Sequence, residues 1–200
     1  MDLKIYNTKS RSVETFIPIN KDTVSMYACG PTVYDKTHIG HMRKYIGDDI
    51  IRRTLTLLRY NVNHVMNITD VGHLTGEETE SGVDKLEKGA KKYNKTVWDI
   101  AAEYTAYFHD TMRAVNVLPP THETKATDHI PAMIELVETL LTKGFAYETA
   151  QAVYFDTSAY TDYGALSGQK LSDKETAVRD DVVDDPQKKH PDRKSTRLNS

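Results

Sequence analysis

A single cysteine, Cys29, in a chain of 200 residues excludes an internal disulfide framework and fits a reducing compartment. No apolar run approaches the roughly 20 residues needed to cross a bilayer. The opening "MDLKIYNTKSRS" has neither an apolar core nor a small-residue cleavage site, so no signal peptide is expected. Internal repeats and low-complexity tracts are lacking, and no CxxC or HxxxH pair suggests a ready metal shell. A basic excess is lacking too. Against 29 Asp and Glu stand 26 Lys and Arg, a formal net charge of -3, which argues against a module that coats nucleic acid but not against local contact with RNA. These absences together predict a cytoplasmic protein with neither membrane nor DNA as a partner.

What is present is an ordinary globular composition, 38% hydrophobic and 28% charged, in a chain long enough to bury a core. "LKIYNT" and "VETFIPI" read as short strands around a polar turn, and "TVSMYACG" (23–30) as a buried strand ended by Gly30-Pro31. From about Ile39 to Arg59 the pattern is helical, with Met42, Ile46, Ile50 and Leu57 as its apolar stripe. "YNVNHVMNIT" (60–69) is a further strand. Strand, helix and strand in succession form a βαβ unit with parallel strands, whose C-terminal ends are the edge where α/β sheets bind ligands. Those ends carry "CGPT" and "NITD".

Beyond Gly76 the chain turns polar. Helices are expected over about 96–115, with Trp98, Ala101, Ala102, Thr105, Phe108 and Met112 as a stripe, and over about 128–143, with Thr127 as a cap. "GFAYETAQAVYFDTS" (144–158) reads as a hairpin. The fold class is therefore α/β: the first half of a Rossmann-like nucleotide-binding domain, its helix opening on "HIGH" (38–41), with an inserted α+β connective region. The expected divisions are 1–75 for the first half of that Rossmann-like domain, 76–165 for the insertion, 166–191 for the start of the return, and 192–200 for a tail.

The chemistry concentrates in "CGPTVYDKTHIGH". His38 and His41, three apart, share a helical face at a helix start, where free backbone N–H groups and the dipole attract phosphate. Gly40, lacking a side chain, lets a base or ribose approach. Two imidazoles there can donate to phosphate oxygens whose charge grows in a transition state, which suits attack on the α-phosphate of ATP with loss of pyrophosphate. Alternatively, the two histidines merely cap the helix. Cys29 ends its strand on the same rim, where a thiolate could bind zinc, with His64 and His73 as possible companions although the spacing leaves the shell incomplete.

"YNT" (6–8), "MYACGPTVYD" (26–35), "HIGH" (38–41), "NITDVGHL" (67–74) and "DYGALSGQ" (162–169) together resemble cysteinyl-tRNA synthetase, a class I aminoacyl-tRNA synthetase, over about residues 3–191. The resemblance implies ATP-dependent activation of cysteine to cysteinyl-adenylate and its transfer to cysteine tRNA, with ATP accompanied by Mg. It implies that Cys29 is a zinc ligand and that this zinc binds the substrate thiol. Such a test separates cysteine from serine better than an apolar pocket, which resolves near-isosteres by only about 10- to 200-fold. His38 and His41 would act catalytically on the phosphates, with Thr32 and Gly40 also at ATP, while Gly30 and Thr69 would contact the amino acid. Asp70 lies on the same rim.

The remaining zinc ligands and the KMSKS loop of that family have no counterpart in these 200 residues, so the chain alone is expected to be inactive. "DRKSTRLNS" (192–200) departs from the pattern and reads as non-native. Two alternatives stand beside the ligase: a mycothiol-pathway enzyme joining cysteine to an amino sugar, and a non-catalytic truncated paralogue that binds tRNA or a partner.

Overall fold

The computed structural model describes residues 3–71, 95–150 and 152–168. In chain order its elements are β1 (Lys4–Asn7), β2 (Ser12–Thr15), β3 (Thr23–Ala28), α1 (Ile39–Leu57), β4 (Asn61–Ile68), α2 (Val97–Ala114), β5 (His122–Lys125), α3 (Ile130–Thr142), β6 (Ala146–Glu148) and β7 (Val153–Phe155). Short 3-10 turns cover Thr127–His129 and Thr157–Ala159. The described residues form two compact units, one of 17–71 with 95–129 and one of 3–16 with 130–150 and 152–168.

The first unit is a parallel sheet in the order β3-β4-β5. Its register runs from Thr23 opposite Asn61 to Ala28 opposite Met66, then from Val65 opposite His122 to Ile68 opposite Lys125. The α/β class and the βαβ unit are as the sequence leads one to expect. Strand β5 is not, because "HETK" carries no alternating apolar signal and is recruited by its neighbours. Asp49 on α1 is buried and accepts from Arg53 Nε at 2.6 Å and from the Leu118 backbone N–H at 3.2 Å. Arg53 also donates to the Asn116 carbonyl at 2.8 Å, and Arg52 to that of Pro119. These bonds hold the loop after α2 against α1 and deliver the chain to the β4 edge. Residues 95–129, within the stretch read above as an insertion, thus lie in the same unit as the βαβ.

The core gathers Val33, Tyr45, Met66, Ile68, Ile100, Ala101, Phe108 and Met112, with the Tyr45 and Phe108 rings edge to face at 5.1 Å. Tyr45 and Leu55 are the buried apolar residues of α1, whereas Ile46, Ile50 and Leu57 of the expected stripe are exposed. The expected stripe therefore marks the wrong face, Met42 alone packing against the core. On α2, Trp98 is likewise exposed while Ile100, Phe108 and Met112 are buried. A reciprocal capping box starts α2: Thr96 Oγ1 accepts from Asp99 N at 3.1 Å, and Asp99 Oδ2 accepts from Thr96 N at 3.0 Å.

In the second unit β1 and β2 form an antiparallel hairpin, as do β6 and β7. Helix α3 leads into β6 through Gly144, whose φ of 73° is the left-handed conformation that ends helices. Phe145 N–H closes this junction on the Leu140 carbonyl at 2.9 Å.

Candidate functional site

Beyond their last paired strand residues, β3 and β4 stay linked. Thr69 N–H donates to the Pro31 carbonyl at 2.9 Å, and Val33 N–H to the Thr69 carbonyl at 3.1 Å, making Thr32 and Thr69 an isolated parallel bridge. Gly30 lies where the strands come closest. A Cβ there would stand 1.6 Å from the Asn67 carbonyl oxygen, so no residue with a side chain fits without parting the strands. Gly30, Thr32 and Thr69, each half-buried, are thereby brought to one rim with Cys29. Lys44 of α1 reaches the same corner, donating to the Cys29 carbonyl while pairing with Asp48 at 2.7 Å. The sequence reading missed Lys44, since a lysine on a helix surface carries no signal of what lies beyond its tip.

The histidine motif opens α1 and caps it. His38 is the N-cap residue, and its Nδ1 accepts from Gly40 N–H at 3.1 Å. His41 Nδ1 accepts from His38 N–H in a long contact of 3.4 Å. The two rings stack with centroids 3.7 Å apart. Capping and chemistry, offered above as alternatives, are compatible here. Because each Nδ1 accepts a hydrogen bond, each neutral ring carries its proton on Nε2, so both Nε2 atoms are donors. Desolvation lowers the His41 pKa, and the charge of a protonated His38 lowers it further, which favours this neutral form. Both residues are exposed. Gly40 is explained by the cap as well, since a Cβ there would lie 2.9 Å from His38 Cε1 and push the ring from its place.

Cys29 is expected to be one zinc ligand whose companions lie outside these 200 residues, and the described residues add no further ligand beside it. No three His, Cys, Asp or Glu among them could hold a metal ion together, and Cys29 presents an exposed thiol alone. His64 cannot assist. It pairs in register with Met26, three residues before Cys29 and so roughly 10 Å back along the strand. It is 3% exposed on the core face, whereas Tyr27, of opposite parity, is 66% exposed. His73 lies outside the described residues. Asp70, expected on the rim, is buried and serves as an anchor, accepting from Thr127 N–H at 3.1 Å and from the Thr127 hydroxyl at 2.7 Å.

Residues 15–194 match the family model of the tRNA synthetases class I (C) catalytic domain. The chain belongs to this class I synthetase family. It is 48% identical over 167 residues to "Cysteine--tRNA ligase 1" of Burkholderia lata, covering 84% of this chain and 35% of that protein. It is 44% identical over 192 residues to "Cysteine--tRNA ligase" of Treponema denticola, covering 96% of this chain and 38% of that one. This class I synthetase chain thus spans little more than a third of the length of these relatives. Among solved structures, the LeuRS–tRNA–LeuAMS ternary complex from Agrobacterium radiobacter shares the fold, with a TM-score of 0.52 at 20% identity over 72% of this chain and 18% of that one.

Proposed function

We propose that the chain carries the first part of the amino-acid-activating site of a cysteine–tRNA ligase. The supporting observation is the pair of Nε2 donors that the helix cap fixes at the start of α1. In the reaction, a cysteine carboxylate oxygen attacks the α-phosphorus of ATP. The bond to the bridging oxygen breaks, pyrophosphate leaves, and cysteinyl-adenylate remains for transfer to cysteine tRNA. His38 and His41 donate from Nε2 to phosphate oxygens that gain charge on the way, and the positive end of the α1 dipole adds to them. No acidic residue lies in that first turn to repel the phosphates. Gly40 leaves room for adenosine, and Thr32 flanks the phosphate path. Gly30 and Thr69 offer the amino acid a narrow place where β3 and β4 converge.

The relatives' names support cysteine as the amino acid. Cys29 is the residue that a zinc-based selection of thiol would use. As the described residues supply no companion ligands, no step is routed through a metal. No described helix is long and apolar enough to cross a membrane, and the reaction proposed takes place in the cytoplasm.

The test is a chimaera in which residues 3–168 replace the matching segment of the Treponema denticola relative. The expected result is ATP–pyrophosphate exchange that depends on L-cysteine. His41→Ala should reduce it at least 100-fold while the far-UV circular dichroism spectrum is unchanged, since one lost transition-state donor costs about 10²–10³. A folded chimaera whose exchange requires a different amino acid, or is indifferent to His41, would overturn the reading.

A further inference from the structure

Resting on that reading, we propose that Asn67 is a positioning residue for the amino-acid half of the site: it fixes the Gly30 backbone and the Thr69 hydroxyl relative to each other and so governs cysteine binding separately from ATP binding.

Three hydrogen bonds converge on this one side chain. Asn67 Oδ1 accepts from Gly30 N–H at 2.8 Å and from the Tyr27 hydroxyl at 2.9 Å. Asn67 Nδ2 donates to Thr69 Oγ1 at 3.0 Å. The orientation of the amide is unambiguous, because a backbone N–H can only donate and therefore faces the oxygen. The far end is then the NH2 group, and Thr69 Oγ1 must be its acceptor. A hydroxyl that accepts from Asn67 keeps its own proton to donate elsewhere, so Asn67 decides what Thr69 can offer a ligand as well as where it stands.

The backbone could not do this unaided. β3 pairs with β4 only as far as Ala28 opposite Met66, and the next backbone link is the bridge at Thr32 and Thr69. Gly30 falls between these points. Its N–H would lack a partner but for Asn67, and its missing side chain is imposed by the Asn67 carbonyl. One residue therefore meets Gly30 twice, through the carbonyl that demands glycine and through the side chain that holds its N–H. Tyr27, although 66% exposed, orients Oδ1 through its hydroxyl. The histidine pair has no share in this network; its hydrogen bonds stay within the first turn of α1. That separation is why the effect should be confined to the amino acid.

The test compares the 200-residue chain with its Asn67→Ala variant. Hydrogen exchange of the Gly30 amide is followed by NMR in that chain, and L-cysteine and ATP are titrated separately into the chimaera described above with and without the same substitution. In Asn67→Ala the Gly30 amide should exchange at least tenfold faster, while the amides of Val33 and Thr69, held by backbone bonds, keep their rates. L-Cysteine binding should weaken at least tenfold and ATP binding stay within twofold. Asn67→Asp, which keeps an oxygen for the Gly30 and Tyr27 donors, should restore the Gly30 protection. Parallel weakening of both ligands would mean general disruption and would overturn the proposal, as would an unchanged Gly30 exchange rate. If the chimaera with Asn67 intact binds ATP but no L-cysteine, the amino-acid reading of the rim fails; the exchange rates then still decide whether Asn67 holds Gly30.

Discussion

Helices α2 and α3 invert what their sequences advertise. Helix α3 reads "IPAMIELVETLLT", a far more apolar string than the "VWDIAAEYTAYFHDTMRA" of α2. Yet α2 buries Ile100, Ala101, Phe108 and Met112, whereas none of the residues of α3 is buried, Leu136 standing 60% exposed and Ile134 49%. The difference lies in what each unit offers its helix. The first unit has a three-stranded parallel sheet whose β4 presents His64, Met66 and Ile68 in alternation, a surface broad enough to receive both α1 and α2. Among the described residues the second has two-stranded hairpins of three or four residues per strand, and these leave the thirteen-residue helix uncovered. Burial is a property of a pair of surfaces, and apolar content supplies only one of them.

The strongest way to break this comparison is to truncate one large residue on each side. Phe108→Ala should cost about 3–5 kcal/mol, the usual price of removing a buried ring, and Leu136→Ala no more than about 0.5 kcal/mol. Urea unfolding of the two variants would decide it. Equal shifts in midpoint would mean that α3 is covered in solution and that the contrast between the units is false.

A second prediction sharpens the first unit alone. His64 is buried, with neither ring nitrogen hydrogen-bonded among the described residues. Burial lowers its pKa, reinforced by the Arg52 and Lys44 charges and opposed by Asp48 and Asp49. The unfolded chain therefore binds a proton at His64 near pH 6.5 that the native state binds only at lower pH. Its contribution to stability is complete above about pH 6.5 and declines as pH falls below it. Thermal unfolding between pH 7.5 and 5 should show this decline, and His64→Leu should flatten it. A slope unaffected by that substitution would assign the acid sensitivity elsewhere.

The smallest expected change in stability is at Gly40. Gly40→Ala displaces the His38 ring, costing about 1 kcal/mol of capping, while alanine's helix propensity returns a similar amount. Stability should stay within about 1 kcal/mol of the original, although cysteine-dependent exchange in the chimaera falls at least tenfold. Full activity after this change would show that the capped ring geometry is dispensable.

Much of the rim could be read directly from the residues. Gly-Pro after a strand and His-x-x-His at a helix start are local signals that local geometry places, whereas of Thr69-Asp70 after the second strand Asp70 turns inward to Thr127. Asn67 and Lys44 escaped because their importance lies in partners distant along the chain. Alternation did contain a hint, since Asn67 and Thr69 two residues apart must face the same side of β4, but nothing local says that Gly30 and Tyr27 wait there.

By itself, the sequence determined the βαβ unit, the helix that begins at the histidine pair, the two helices beyond it and the closing hairpin. Each follows from spacing and from the conformations that glycine, proline and capping side chains impose within a few residues. Only the tertiary structure decided which face of α1 is buried, that "HETK" becomes the third strand, that Asp70 anchors Thr127, and that His64 pairs with Met26, three residues back from Cys29. These depend on which surfaces meet, and contacts between residues far apart in sequence leave no periodic trace along the chain.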